Sequence, residues 1–234
     1  NKDDSLRPQL RFSQPFGWIN DPNGLVYHNG LYHLFYQHNP FSINWNNMYW
    51  GHAVSKDLIH WEHWPLALYP YTMASGQCFS GSAYADNDRM IIVFTDTNKG
   101  ECMAESFDGG YSWKCIEDPL IRHIGRDPKL IRYENHWVIV VYEKYGDSDT
   151  FAFYKSYDLI KWDLVSRLEG FYECPELIKL GNKWVIFGSD GKYMIGDFDG
   201  ETFVPMDNKK HQLFHGLFQA SQCFNNMDGR VVQI

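Results

Sequence analysis

The chain has 234 residues, 44% apolar and 21% charged, the proportions of a soluble globular protein large enough for one sizeable core. Its net charge of −8, without a basic cluster, argues against a nucleic-acid partner, and no apolar run approaches the ~18 residues of a membrane span. Five cysteines without a CxxC pair and ten histidines without ligand spacing leave no metal site, no cofactor and no required disulfide framework to expect.

Long helical periodicity is absent. Short apolar runs separated by Gly, Asn and Asp turns predict an all-β chain. In chain order, a polar turn followed by an aromatic or β-branched strand recurs as HNGLYHLFYQ from His28, DNDRMIIVFTD from Asp86, YENHWVIVVYE from Tyr133, LGNKWVIFGSD from Leu180 and MDGRVVQI from Met227. The markers Asn29, Asn87, Asn135, Asn182 and Asp228 are 58, 48, 47 and 46 residues apart. A second unit follows the first four copies: SKDLIHW (55–61), SFDGGYSW (106–113), SYDLIKW (156–162) and DFDGETF (197–203). Its Asp suits a turn and its aromatic suits packing on the next strand, a structural pairing. Such a period describes the four-stranded blade of a β-propeller. Five copies predict a five-bladed β-propeller. The second unit lacks a fifth copy and Ile234 falls inside an apparent strand, so the fifth blade is expected to be incomplete. Residues 1–234 then form a single propeller domain, with self-association through the open blade as one consequence.

The first strand of each propeller blade lines the central channel, so the segment before each marker belongs there. Asp21 of NDPNG stands eight residues before its marker, Ser80 of FSGS seven, Asp127 of RDP eight, Glu173 of ECPE nine and Gln219 of FQASQ nine. Three acids thus share a register and point toward one axial pocket. Each has a structural alternative: Asp21 as a turn cap, Asp127 as half of an ion pair with Arg126, and Glu173 as a surface carboxylate interchangeable with Glu176. Three carboxylates gathered in one channel repel one another, which favours a chemical reason for the arrangement. Two carboxylates flanking a glycosidic bond are what retaining hydrolysis requires, one as nucleophile and one as general acid/base. The aromatic content, 9 Trp, 15 Tyr and 16 Phe, suits pleated sheets and also sugar-binding surfaces.

The stretches RPQLRFSQPFGWINDPNG, YHLFYQHNP, WNNMYWGHAVSKDLIHWEHWPLAL, FSGSA, GRDPKL, ECPEL and GDFDG resemble the β-fructosidases of glycoside hydrolase family 32, nearly end to end. The resemblance implies a five-bladed propeller and release of fructose from sucrose or from fructans such as levan or inulin, through a covalent fructosyl-enzyme intermediate. It implies Asp21 as nucleophile, Glu173 as acid/base and Asp127 as the stabiliser that binds fructose hydroxyls. Arg126 is expected to pair with the carboxylates, Cys174 to tune the acid/base, and Asn20, Gln37, Trp45, Phe79 and Ser80 to line the fructose subsite. The partner is therefore an oligo- or polysaccharide carrying fructosyl residues, not nucleic acid and not a membrane. The chain departs from the family pattern at Trp45-Asn46, where Trp-Gly is expected, and at the segment Gln219-Ala220-Ser221-Gln222. The family's accessory β-sandwich is not represented in the sequence. Other readings are another carbohydrate-cleaving propeller such as an arabinanase or xylosidase, a non-catalytic carbohydrate-binding propeller, and a fructosyltransferase.

Overall fold

The computed structural model describes residues 7–8, 11–122, 125–213 and 218–234. These residues build four antiparallel sheets in sequence order. The first holds β1 (Trp18–His28), β2 (Leu31–Asn39), β3 (Tyr49–Ser55) and β4 (Trp61–Leu68). The second holds β5 (Cys78–Asp86), β6 (Arg89–Asp96), β7 (Gly100–Ser106) and β8 (Lys114–Cys115). The third holds β9 (Arg126–Tyr133), β10 (His136–Tyr145), β11 (Ser148–Ser156) and β12 (Asp163–Glu169). The fourth holds β13 (Glu176–Leu180), β14 (Lys183–Phe187) and β15 (Lys192–Phe198), with its outer edge split between β16 (Phe203–Pro205) and β17 (His211–Gln212).

Blades pack face to face, which explains why their second strands read as continuous apolar runs rather than alternating ones. In β6, Met90, Ile92 and Phe94 join Val26, Phe35, Trp50 and Leu68 of blade one. The intervening Ile91 and Val93 join Leu130, Trp137, Ile139 and Val141 of blade three. In β10 the remaining alternate residues, Val138, Val140 and Tyr142, turn to Leu177, Ile186 and Met194 of blade four. Burial of both faces is what selects this pattern, at roughly 25 cal/mol per Å² of apolar surface removed from water.

The second repeat unit is a turn, as its composition predicts. Asp57 Oδ1 accepts from the backbone N–H of Ile59 (2.9 Å) and His60 (2.8 Å). Asp108, Asp158 and Asp199 each accept two backbone N–H groups in the same way. Trp61 and Trp113 close their loops by donating to the carbonyls of Leu58 and Gly110.

The expectation of five blades is corrected to four formed sheets among the described residues. The fifth copy of the repeat yields a hairpin: Phe224 N–H donates to Val232 O (2.9 Å), and Gln222 and Ile234 exchange a pair of bonds (3.0 Å each). Its inner arm pairs in parallel with β1, where Asn225 N–H donates to Leu25 O (2.9 Å) and Tyr27 N–H to Asn225 O (3.0 Å). Phe224 thereby covers Leu25, Leu34 and Tyr36 on the free face of blade one. One strand stands on each side of the Asp228 turn, and that pair is what forms.

Antiparallel order also sorts the loops. The beginnings of the innermost strands, the second-to-third-strand connections and the blade-to-blade links share one face. The first hairpin turns and the Asp turns share the other.

Candidate active site

The site residues lie on the first of these faces, and β-bulges aim them. In β1, Ile19 pairs with His38 and Pro22 with Tyr36, so Asn20 and Asp21 together oppose Gln37. In β5, Cys78 pairs with Asp96 and Gly81 with Phe94, so Phe79 and Ser80 oppose Thr95. In β9, Arg126 pairs with Tyr142 and Lys129 with Val140, so Asp127 and Pro128 oppose Val141. Two residues against one turn a side chain out of the pleat, and here the same device operates in three successive blades. Blade four uses a different one. Glu173 (φ 47°) and Cys174 (φ 44°) precede β13 in left-handed backbone, a conformation Asp127 (φ 65°) shares. Such backbone is costly for non-glycine residues and must be held. Ser189 N–H donates to the carbonyls of Tyr172 (3.1 Å) and Glu173 (3.0 Å). A Cβ on Gly188 would stand 2.9 Å from the Tyr172 carbonyl oxygen, so glycine permits that approach.

A pocket of about 210 Å³ results, small enough to suit a single sugar ring. It is lined by Asn20, Asp21, Gln37, Trp45, Phe79, Ser80, Arg126, Asp127, Glu173 and Cys174, the full set singled out in the sequence, together with Gln219. Glu176, the alternative to Glu173, is elsewhere. It is fully buried against Lys129 Nζ at 2.5 Å and accepts from Cys223 N–H at 3.0 Å.

Hydrogen bonds orient the acids. Ser80 Oγ donates to Asp21 Oδ2 at 2.7 Å. With its amide turned to satisfy both ends, Asn23 accepts from Gln37 Nε2 (2.9 Å) and donates to Ser80 Oγ (3.3 Å), which fixes the direction of that hydroxyl. Arg126 donates through Nε (3.1 Å) and Nη2 to Glu173 Oε1, and its Nε stands 3.9 Å from Asp127 Oδ2. The guanidinium lies over the rings of Tyr142 (4.8 Å) and Tyr172 (6.0 Å). Asp127 N–H donates to Thr95 Oγ1 (2.9 Å), and that hydroxyl donates to the buried Glu101 Oε2 (2.9 Å). Burial pushes the Asp127 carboxyl up to about 7; the Cys174 N–H opposes this and the Asp21 charge adds to it. Burial likewise pushes Glu101 up to about 8 and the Cys174 thiol well above its ordinary value. Arg126 stays charged: burial works against it, but Glu173 and Asp127 raise it further.

Thr95, Glu101, Tyr142 and Tyr172 went unseen in the sequence. They act from second or third strands or from a blade link, outside the repeated register that identified the acids. Gln219, placed on the channel by the same register in the sequence, does line the pocket. Among the described residues no cluster of His, Cys, Asp and Glu is arranged to hold a metal ion, and no helix is long and apolar enough to cross a membrane.

The model of the glycosyl hydrolases family 32 N-terminal domain matches residues 11–234. Levanase of Bacillus subtilis (strain 168) is 38% identical over 246 residues, covering 86% of this chain and 36% of the levanase. Invertase of Schizosaccharomyces pombe is 36% identical, covering 94% of this chain and 46% of the invertase. Among solved structures, β-fructofuranosidase from Schwanniomyces occidentalis complexed with fructosyl-erythritol superposes with a TM-score of 0.87 at 32% identity, covering 97% of this chain and 53% of that one. Exo-inulinase from Aspergillus awamori gives 0.83 at 29% identity, covering 100% of this chain and 60% of that one. The chain thus spans about a third to three-fifths of the length of these relatives.

Proposed function

This chain belongs to the glycosyl hydrolases of family 32, and from that premise we propose that its acidic pocket releases fructose from β-fructosides, sucrose or fructans such as levan and inulin, with retention of configuration. The observation that carries the reading is the meeting of Asp21, Asp127 and Glu173 in one pocket of single-sugar size. Both side-chain contacts to Asp21 fall on Oδ2, which leaves Oδ1 to attack the anomeric carbon. Attack forms a fructosyl ester as Glu173 gives its proton to the departing oxygen. Glu173 then takes a proton from water, whose oxygen displaces Asp21 and frees fructose. Arg126 holds the Glu173 carboxyl in place for both proton transfers. Asp127, buried and stationary beneath the sugar, accepts hydroxyl hydrogen bonds that strengthen as positive charge develops on the ring.

We read residues 1–234 as one catalytic propeller unit. Between blade one and the terminal hairpin, a cavity of about 600 Å³ is lined by Phe12, Ile19, Leu34, Tyr36, Trp61 and Phe218, among others, an apolar surface suited to the outer strands of a fifth blade.

The experiment is a product profile with sucrose, inulin and levan. Fructose release, with β-configured product trapped before it mutarotates, supports the reading. Binding of these sugars without turnover, or release of arabinose or xylose from other glycosides in place of fructose, overturns it.

A further inference from the structure

Blade one differs from its neighbours on the face that carries the pocket. Its second-to-third-strand loop, residues 40–48, exposes Phe41 (75%), Ile43 and Trp45. The link from β4 to β5 exposes Tyr69 and Tyr71. These rings are organised. Trp45, on the pocket wall, meets Phe79 edge-on at 5.9 Å. Four residues earlier in the same loop, Phe41 meets Tyr49 at 5.8 Å, and Tyr49 meets Tyr69 at 5.7 Å. One loop thus carries both Trp45 at the pocket wall and, four residues away, Phe41, which heads a row of three rings with Tyr49 and Tyr69; these are the two parts of an aromatic rail.

The loop is held rather than loose. Asn39 Nδ2 donates to Asn44 O (3.1 Å), Phe41 N–H to Asn39 Oδ1 (3.1 Å) and Trp18 N–H to Ser42 O (2.8 Å). Exposed rings on a fixed loop present apolar surface to solvent. The surroundings are equally specific. No Asp, Glu, Lys or Arg stands between Pro22 and Ser55, or between Pro65 and Ala85, in a chain that is 21% charged. What the two segments offer beside the rings is neutral hydrogen bonding, from Asn44, Asn46, Asn47 and Thr72 and from tyrosine hydroxyls.

We propose that this rail is an extended subsite for the further sugar units of an uncharged polymeric fructan whose terminal unit occupies the acidic pocket. The proposal rests on the reading of the pocket given above. Sugar rings stack their C–H faces on aromatic side chains and hydrogen-bond through hydroxyls, which is the chemistry displayed. A charged polymer or an acidic or basic protein would find no counter-charge there. The shared loop sets the occupant: Trp45 lines the pocket and Phe41 stands exposed four residues away in the same segment, so a polymer whose end fills the pocket has these rings beside it.

The test is the ratio of kcat/KM on long-chain levan or inulin to kcat/KM on sucrose. In the double variant Phe41→Ala/Tyr69→Ala that ratio should fall about tenfold or more. Phe107→Ala removes an equally exposed ring from the opposite face and should leave the ratio unchanged. An unchanged ratio in the double variant, or an equal fall with Phe107→Ala, overturns the proposal. Native electrophoresis through a gel containing levan gives a readout independent of turnover. The parent should be retarded and the double variant much less so; equal migration of the two overturns the rail. Absence of fructose release by the parent would instead strike the function proposed for the pocket.

Discussion

The Cys174 backbone N–H donates to Asp127 Oδ2 at 3.1 Å, and the Cys174 thiol lies 3.6 Å from that same oxygen. The sulfur is also 3.9 Å from Asp21 Oδ2, so one buried thiol stands between two acids of the pocket. Burial, and then the Asp127 and Asp21 charges, keep it protonated. It is a hydrogen-bond donor, not a nucleophile.

All five cysteines are free, and burial pushes Cys102 up to about 12, Cys115 up to about 11, and Cys78 and Cys223 upward as well. The folded protein should therefore resist iodoacetamide at pH 8, while the urea-unfolded chain takes up five carbamidomethyl groups. Intact mass spectrometry of the two samples decides. Rapid labelling of Cys174 in the folded protein would contradict the donor role.

Asp127 and Glu101 carry carboxyls pushed up to about 7 and about 8 in the folded state. Unfolding returns both to about 4. Between about pH 4 and pH 8 these two carboxyls therefore hold more protons in the folded protein than in the unfolded chain, and their contribution to stability falls as pH rises through that window. The stabilising contribution is fully present below about pH 4 and lost once both folded carboxyls ionise. Asp127→Asn should flatten this dependence. It should raise the melting temperature at pH 8 by about 3–8 °C and change it little near pH 4. Scanning calorimetry across the range measures both; equal shifts at the two ends would remove the titration as the cause.

Lys129 and Glu176 form an ion pair with side-chain exposures of 2% and 0%, tied to the backbone of Cys223 at both ends. The pair joins blades three and four to the terminal hairpin. Lys129→Met or Glu176→Gln leaves one buried group without its partner and should cost about 3–5 kcal/mol in urea unfolding. Lys129→Met/Glu176→Gln, which removes both charges, should lose less than the two single losses added together. Single variants as stable as the parent would show that water reaches the pair.

The common register of the acids was legible because tight turns fix strand register: Asp21, Asp127 and Glu173 stand eight or nine residues before their turn markers, at or just before the start of an innermost strand. The runs MIIVF and WVIVV were legible as strands; their cover on both faces is shown by the packing of the neighbouring blades. The bulges at Asn20-Asp21, Phe79-Ser80 and Asp127-Pro128 were not, since an extra residue in one strand leaves no mark in composition. Glu173 and Glu176 could not be told apart by type or spacing. What separates them is Lys129, 47 residues earlier, which draws Glu176 into the core, while Arg126 draws Glu173 to the pocket. Five copies of the marker turn yield four formed sheets and one hairpin among the described residues, because a marker turn by itself specifies only the two strands that flank it.

The roles proposed for Asp21 and Glu173 predict different kinetic failures. An acid/base residue contributes in proportion to how badly the leaving group needs a proton. Glu173→Ala should slow turnover on sucrose about 10²–10⁴-fold, and much less on an aryl fructoside whose phenolate departs unaided. Arg126 then faces an empty site between Tyr142 and Tyr172, so a small external carboxylate such as formate has a cation to bind and should restore part of the rate. Asp21→Ala removes the group that forms the ester. Its loss should be as severe on the aryl fructoside as on sucrose, because no leaving group replaces a nucleophile. Steady-state rates for the two variants on the two substrates make the comparison. A Glu173→Ala variant equally impaired on both substrates, or an Asp21→Ala variant spared on the activated one, would reverse or abolish the assignment.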